Sequence, residues 1–220
     1  DTAYTAAGVT ASVNAIVAAG IPADTSVTNV ALTTGTDFKT LSASNDTINA
    51  SGATLGSDDV LTDIGGTDTL KVSVSSTTAT STILNSTGVE VIQVTNTGTA
   101  GQTFELTNAS GITTLNSYLS TGAVTYKDAQ ANAKVVLDGS TGDVTADFAN
   151  PVIVGSTDVA NIEIKNDSTA SVINIGDADD EFETINIAVG TGKNTITEIE
   201  DGNSANLGET SKIVITGSGQ

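Results

Sequence analysis

The sequence predicts an all-β fold, a right-handed parallel β-solenoid or β-roll, and three observations predict it. Between Leu32 and Val74, groups of aspartate and glycine recur, each followed by one or two strand-forming residues. From Val30 onward, short runs of Val, Ile and Thr alternate with polar residues and begin roughly every 8–12 residues, with Gly, Asn, Asp and Ser between them. Several of these runs also resemble one another. Gly88-Val89-Glu90-Val91-Ile92-Gln93-Val94 is echoed by Phe182-Glu183-Thr184-Ile185-Asn186-Ile187, by Asn161-Ile162-Glu163-Ile164 and by Ser171-Val172-Ile173-Asn174-Ile175. Each run puts Val or Ile on one face and Glu, Asn or Thr on the other. Such a unit buries its apolar face by stacking on a copy of itself. A β-sandwich is the alternative that these short strands leave open.

The first segment, residues 1–30, differs from the rest. Val9, Val13, Ile16 and Val17 share one helical face, with alanines between them. Gly20 and Pro22 would stop a helix there. A short helix over 10–19 and a linker to about position 30 are therefore expected. Residues 31–74 form the aspartate–glycine segment. Residues 75–220 carry candidate strands at 89–95, 103–106, 113–119, 124–127, 134–137, 144–148, 152–154, 161–165, 172–175, 184–189, 195–199 and 212–216.

Composition narrows the function. The chain has 220 residues, a formal net charge of −19, seven Lys, no Arg, and no Cys, Met, Trp or His. Nucleic acid and anionic membranes are repelled by such a surface, while cations are drawn to it. Few aromatic residues and high charge are also the composition of a disordered chain, but charged residues are only 15% and strand-forming runs persist throughout. No apolar run approaches the ~18 residues of a membrane helix, so no membrane insertion is expected. The first residue is not Met, and the sequence reads as a fragment of something longer.

Catalysis finds little support. Without His or Cys there is no Ser-His or Cys-His pair, and without Arg there is no guanidinium clamp. Imidazole and thiolate ligands for zinc are also absent. Asp179 and Asp180 are neighbours, and neighbouring residues on a strand point to opposite faces, so they make a poor acid–base pair. The expectation is a non-enzyme.

Metal binding is the chemistry the residues favour. Asp37, Asp46, Asp58, Asp59, Asp63 and Asp68 crowd together in sequence. Left bare they would repel one another on folding, and calcium, which prefers hard oxygen ligands, would relieve that repulsion. Carbonyls of Gly35, Gly56, Gly65 and Gly66 are candidates to complete two sites, with binding coupled to folding. Replacing Asp46 or Asp68 by Ala is then expected to weaken calcium binding. A solvated acidic loop is the plainer alternative. Asp177, Asp179 and Asp180 open a second acidic cluster. It is no EF-hand, because Phe182 and Ala188 stand where the turn glycine and the bidentate glutamate belong. Glu198, Glu200, Asp201 and Gly202 make a third, weaker candidate.

Leu32-Thr33-Thr34-Gly35-Thr36-Asp37, Asn45-Asp46-Thr47-Ile48 and Gly65-Gly66-Thr67-Asp68-Thr69-Leu70 together resemble the RTX-like surface-layer proteins of Gram-negative bacteria, of the Caulobacter and Campylobacter type. The units at 88–94 and 182–187 look like the recurring Gly-Val-Glu-Thr-Ile-Asn-Val of that family. The likeness covers roughly residues 30–190. The 65–70 stretch departs from the RTX nonapeptide: it lacks the third glycine and is two residues short. The resemblance implies one-step secretion, a cell-surface location, and anchoring to lipopolysaccharide through an N-terminal domain not found in this sequence. It also implies self-association into a calcium-dependent two-dimensional lattice. A calcium-stabilised adhesin or binding module is the alternative function.

Overall fold

The computed structural model describes residues 26–130, 132–149, 157–170, 172–176, 182–201 and 212–217. The expected helix at 10–19, the strand at 152–154 and the cluster Asp177, Asp179 and Asp180 lie outside them. Within them the chain is all-β and winds as a parallel solenoid. The strands, numbered β1 to β19 in chain order, form three sheets, and every pairing is parallel.

The first sheet runs the length of the coil. It holds nine strands: β1 (Asn29–Ala31), β3 (Thr47–Ser51), β5 (Thr69–Val74), β8 (Val91–Asn96), β11 (Thr114–Tyr118), β13 (Lys134–Asp138), β15 (Val159–Lys165), β17 (Thr184–Val189) and β19 (Lys212–Gly217). The second sheet, β2 (Phe38–Thr40), β4 (Val60–Thr62), β7 (Asn85–Thr87) and β10 (Ala109–Ser110), covers the early coils. The third, β6 (Thr80–Ile83), β9 (Gln102–Glu105), β12 (Val124–Ala129), β14 (Val144–Phe148), β16 (Val172–Ile175) and β18 (Glu198–Asp201), covers the later ones. The two overlap where β5–β7 and β8–β10 each contribute one strand to every sheet, so the cross-section changes partway along the rod.

Alternation explains the core. In β5 and β8 every second side chain is buried. Parallel register then stacks Val30, Ile48, Leu70, Ile92, Leu115, Val135, Ile162, Ile187 and Ile215 in one column through the first sheet. Such stacking buries Ile48 through Ile187 against the neighbouring coils, while Val30 is partly buried and Ile215, at the end of the described residues, is exposed. Aromatic residues are few but well placed. Tyr126 is fully buried, packs at 6.3 Å from Phe104 and donates its hydroxyl to the Asn116 carbonyl at 2.9 Å. Phe148 and Phe182 meet edge to face at 5.1 Å.

The look-alike runs are not equivalent in space. The column carries Ile92 to Ile187, whereas matching the two sequence units sets Ile92 against Ile185. The two units are thus two residues out of step along the sheet, which keeps the same side chains inward because a strand repeats every two residues. The run at 172–175 falls in the third sheet, not the first.

Candidate functional site

Acidic residues sit immediately before many of the strands, five of them in the early coils. Asp37 and Asp59 lead into β2 and β4, and Asp46, Asp68 and Glu90 lead into β3, β5 and β8. Asp37, Asp46, Asp59 and Asp68 are buried. The carboxylates of Asp46, Asp59, Asp68 and Glu90 each accept a backbone amide of the preceding coil. Thr28 N–H donates to Asp46 Oδ1 at 2.6 Å, Asp46 N–H to Asp68 Oδ1 at 2.7 Å, and Asp68 N–H to Glu90 Oε2 at 2.7 Å. Asp37 N–H donates to Asp59 Oδ1 at 2.7 Å. The links from Asp46, Asp68 and Asp37 each span 22 residues, one turn of the coil. Further along, Asp158 N–H reaches Glu183 Oε2 at 2.7 Å in the same way.

The second carboxylate oxygen closes a local turn. Thr33 N–H donates to Asp37 Oδ2 at 2.6 Å, Ser42 N–H to Asp46 Oδ2 at 2.7 Å, and Gly56 N–H to Asp59 Oδ2 at 2.8 Å. Lys39 Nζ pairs with Asp37 Oδ1 at 2.9 Å. Asp37 is held below the usual carboxylate range, chiefly by the Thr33 N–H and then by Lys39. At Asp46, burial alone would raise the pKa, but the Thr28 and Ser42 amides outweigh it and the net shift is downward.

Asp68 behaves differently. Its Oδ2 is buried without a partner, as is Oδ1 of Asp63 nearby. Burial, and then the Asp63 carboxyl beside it, push Asp68 up to about 7 against the pull of the Asp46 N–H. Gly65 N–H donates to Asp63 Oδ2 at 2.8 Å. Gly66 has a φ of +117°, and a Cβ there would run into the Ser44 carbonyl, so the turn before Asp68 needs glycine. Asp58 is exposed and accepts the Thr36 hydroxyl. Gly35 is exposed and donates its N–H to Thr33 Oγ1 at 3.3 Å.

The sequence expectation was carbonyls and carboxylates converging on a metal. The structure instead directs the N–H groups of Gly56 and Gly65 at carboxylates. Among the described residues no three acidic side chains come together as a metal-holding group. Asp37, Asp46 and Asp59 have both oxygens engaged by backbone amides or by Lys39. Asp63 and Asp68, with one unpartnered buried oxygen each, fit a cation. In the third acidic candidate, Asp201 is buried and receives the Phe182 N–H at 3.2 and 3.1 Å on its two oxygens, and Glu200 receives the Asn174 amide at 3.1 Å.

Sequence reasoning missed a second polar stack at the far ends of the first-sheet strands. Asn96 N–H donates to Ser120 Oγ at 3.0 Å, Ser120 N–H to Ser140 Oγ at 3.0 Å, Ser140 N–H to Ser168 Oγ at 3.2 Å, and Ser168 N–H to Asn194 Oδ1 at 3.1 Å. The three serines are fully buried. Ser120 also donates to the Val94 carbonyl at 3.1 Å, and Ser140 to the Ser117 carbonyl at 2.8 Å. A 410 Å³ hollow lined by Ser51, Gly52, Ser73, Ser76, Thr80 and Gln102 contains no titratable side chain.

Fold and ladders together define a parallel β-solenoid whose coils are tied by side-chain oxygens as well as by strand pairing. No family model, curated protein or solved structure matches this chain.

Proposed function

We propose that this chain is a structural segment of a bacterial surface layer: a secreted, non-enzymatic, right-handed β-solenoid that tiles the cell exterior as part of a calcium-dependent two-dimensional lattice. One observation carries this reading. A single nine-stranded parallel sheet runs through the whole described rod over an uninterrupted apolar column. A lattice needs stiff units that hold their shape across many contacts, and stacked coils of this kind supply them. Calcium, where bound, would be held by the unpartnered oxygens of Asp63 and Asp68, and by the outlying Asp177, Asp179 and Asp180. There it would neutralise charge that otherwise opposes folding and close packing of molecules at −19. Attachment to lipopolysaccharide would come through a separate domain.

A second reading, a calcium-stabilised adhesin module, draws on the exposed Phe38, which pairs in register with the part-exposed Val60 on the second sheet. Negative-stain electron microscopy with calcium and then with chelator separates the two. Ordered sheets that appear with calcium and disperse in chelator are the expected result. A protein that stays monomeric in both, yet binds a soluble glycan or protein saturably, removes the lattice reading in favour of the adhesin.

A further inference from the structure

We propose that Asp46, Asp59 and Glu90 act as metal-free acceptors that fix the register of successive coils, independent of any calcium the chain takes up elsewhere. In the early coils the geometry is directional: a backbone amide of one coil meets a carboxylate of the next at Asp46, Asp59, Asp68 and Glu90, whereas farther along Asp143 and Asp167 take the Val172 and Lys193 amides of the following coil. In a parallel ladder, the residue before each strand presents an amide that the neighbouring backbone does not accept. In this chain the neighbour's carboxylate accepts it. The second oxygen of Asp46 and Asp59 is then committed to the turn of its own coil. A carboxylate receiving two or three N–H bonds is stabilised as an anion without a cation.

The serine stack supports this independently. Ser120, Ser140 and Ser168 do the same job at the other end of the sheet, taking an amide from the preceding coil onto a side-chain oxygen. A hydroxyl carries no charge and recruits no calcium, yet the coils are tied in the same direction and at similar distances. The acids alone hold the early coils, and the serines join acids such as Glu183 in the later ones, with Glu90 and Asn96 on β8's flanks marking the change. The 22-residue spacing of the acids is therefore a register signal. It keeps each coil from slipping by two residues, which the alternation of Val and Ile alone would permit.

The test is amide hydrogen exchange by NMR on the full 220-residue chain, in calcium and then in chelator, together with a count of bound calcium for wild type and Asp46→Ser. The amides of Thr28, Asp37 and Ser42 are expected to keep their protection within about twofold in chelator. Asp46→Ser is expected to bind as many calcium ions as wild type. A rise of about tenfold or more at those three amides in chelator, with the later coils still protected, overturns the proposal. So does the loss of an ion in Asp46→Ser. If chelator unfolds the whole chain, the ion count decides: equal counts support the proposal and a lower count overturns it. If Asp46→Ser does not fold, Asp59→Asn, which keeps one acceptor oxygen, takes its place in the same count.

Discussion

Asp68→Asn should stabilise the protein at neutral and alkaline pH while leaving it nearly unchanged in acid. In the folded chain Asp68 holds its proton up to about pH 7, whereas the ordinary value is 3.8. The folded state therefore binds more protons than the unfolded state between those limits, and stability falls as pH rises through them. A tenfold difference in proton affinity is about 1.4 kcal/mol. Water and relaxation around an end-of-turn carboxyl screen much of the full difference, leaving on the order of 1–2 kcal/mol. Asparagine imitates the protonated acid: its Oδ1 still accepts the Asp46 N–H, and its amide offers a donor to Asp63. Asp37, Asp46 and Glu163 run the other way. Their lowered values contribute stability above the ordinary carboxylate range that is lost in strong acid, Glu163 chiefly through its hydrogen bond from Lys134. The assay is urea denaturation in chelator at about pH 4.5, 6 and 8. Wild type should lose stability across that series and Asp68→Asn should not. Equal slopes for the two proteins, or a variant weaker than wild type at pH 8, would refute the argument. Adding calcium at pH 8 should narrow the gap by stabilising wild type, since the ion takes over the role of the proton.

Ile92→Ala removes a fully buried link between Leu70 and Leu115 and should cost about 2–5 kcal/mol, read as a lower urea midpoint with an unchanged slope. Ser120→Ala strands the Asn96 N–H and the Val94 carbonyl in the interior and should cost about 1–3 kcal/mol in the same assay. Leu119→Asn should raise stability by up to about 1 kcal/mol: Leu119 has a φ of 49° and is half exposed, whereas Gly139 and Asn166 occupy the left-handed region at similar corners, so calorimetry should show a higher melting temperature. Thr97→Ala, at an exposed position, should stay within about 0.5 kcal/mol of wild type.

Much of the strand pattern was legible in the sequence. The strands at 144–148, 172–175 and 184–189 fall where alternation puts them, because a half-buried strand writes its period directly into residue type. What alternation cannot show is which sheet a strand joins, since that depends on the path of the loops between. The run at 172–175 therefore looks like the run at 88–94 yet lies in a different sheet. The acidic residues were visible as a group, but neither their 22-residue spacing nor the direction of their bonds was read from it. A carboxylate beside glycine reads equally well as a metal ligand or as an amide acceptor, and only the position of Asp46 against Thr28 and Ser42 tells them apart. The serine stack left no readable trace. Its links span 24, 20 and 28 residues, so no fixed interval marks it.

Because every strand pairing in the rod is parallel and joins one coil to the next, the backbone bonds of the three sheets lie along its length. Tension applied at the two ends would load these bonds one coil at a time, so the rod would peel open at modest force like an unwinding spring. A push from the side is shared among many coils at once. Such a body is strong when laid flat and weak when hung as a tether, which sets how it should sit relative to any surface it covers.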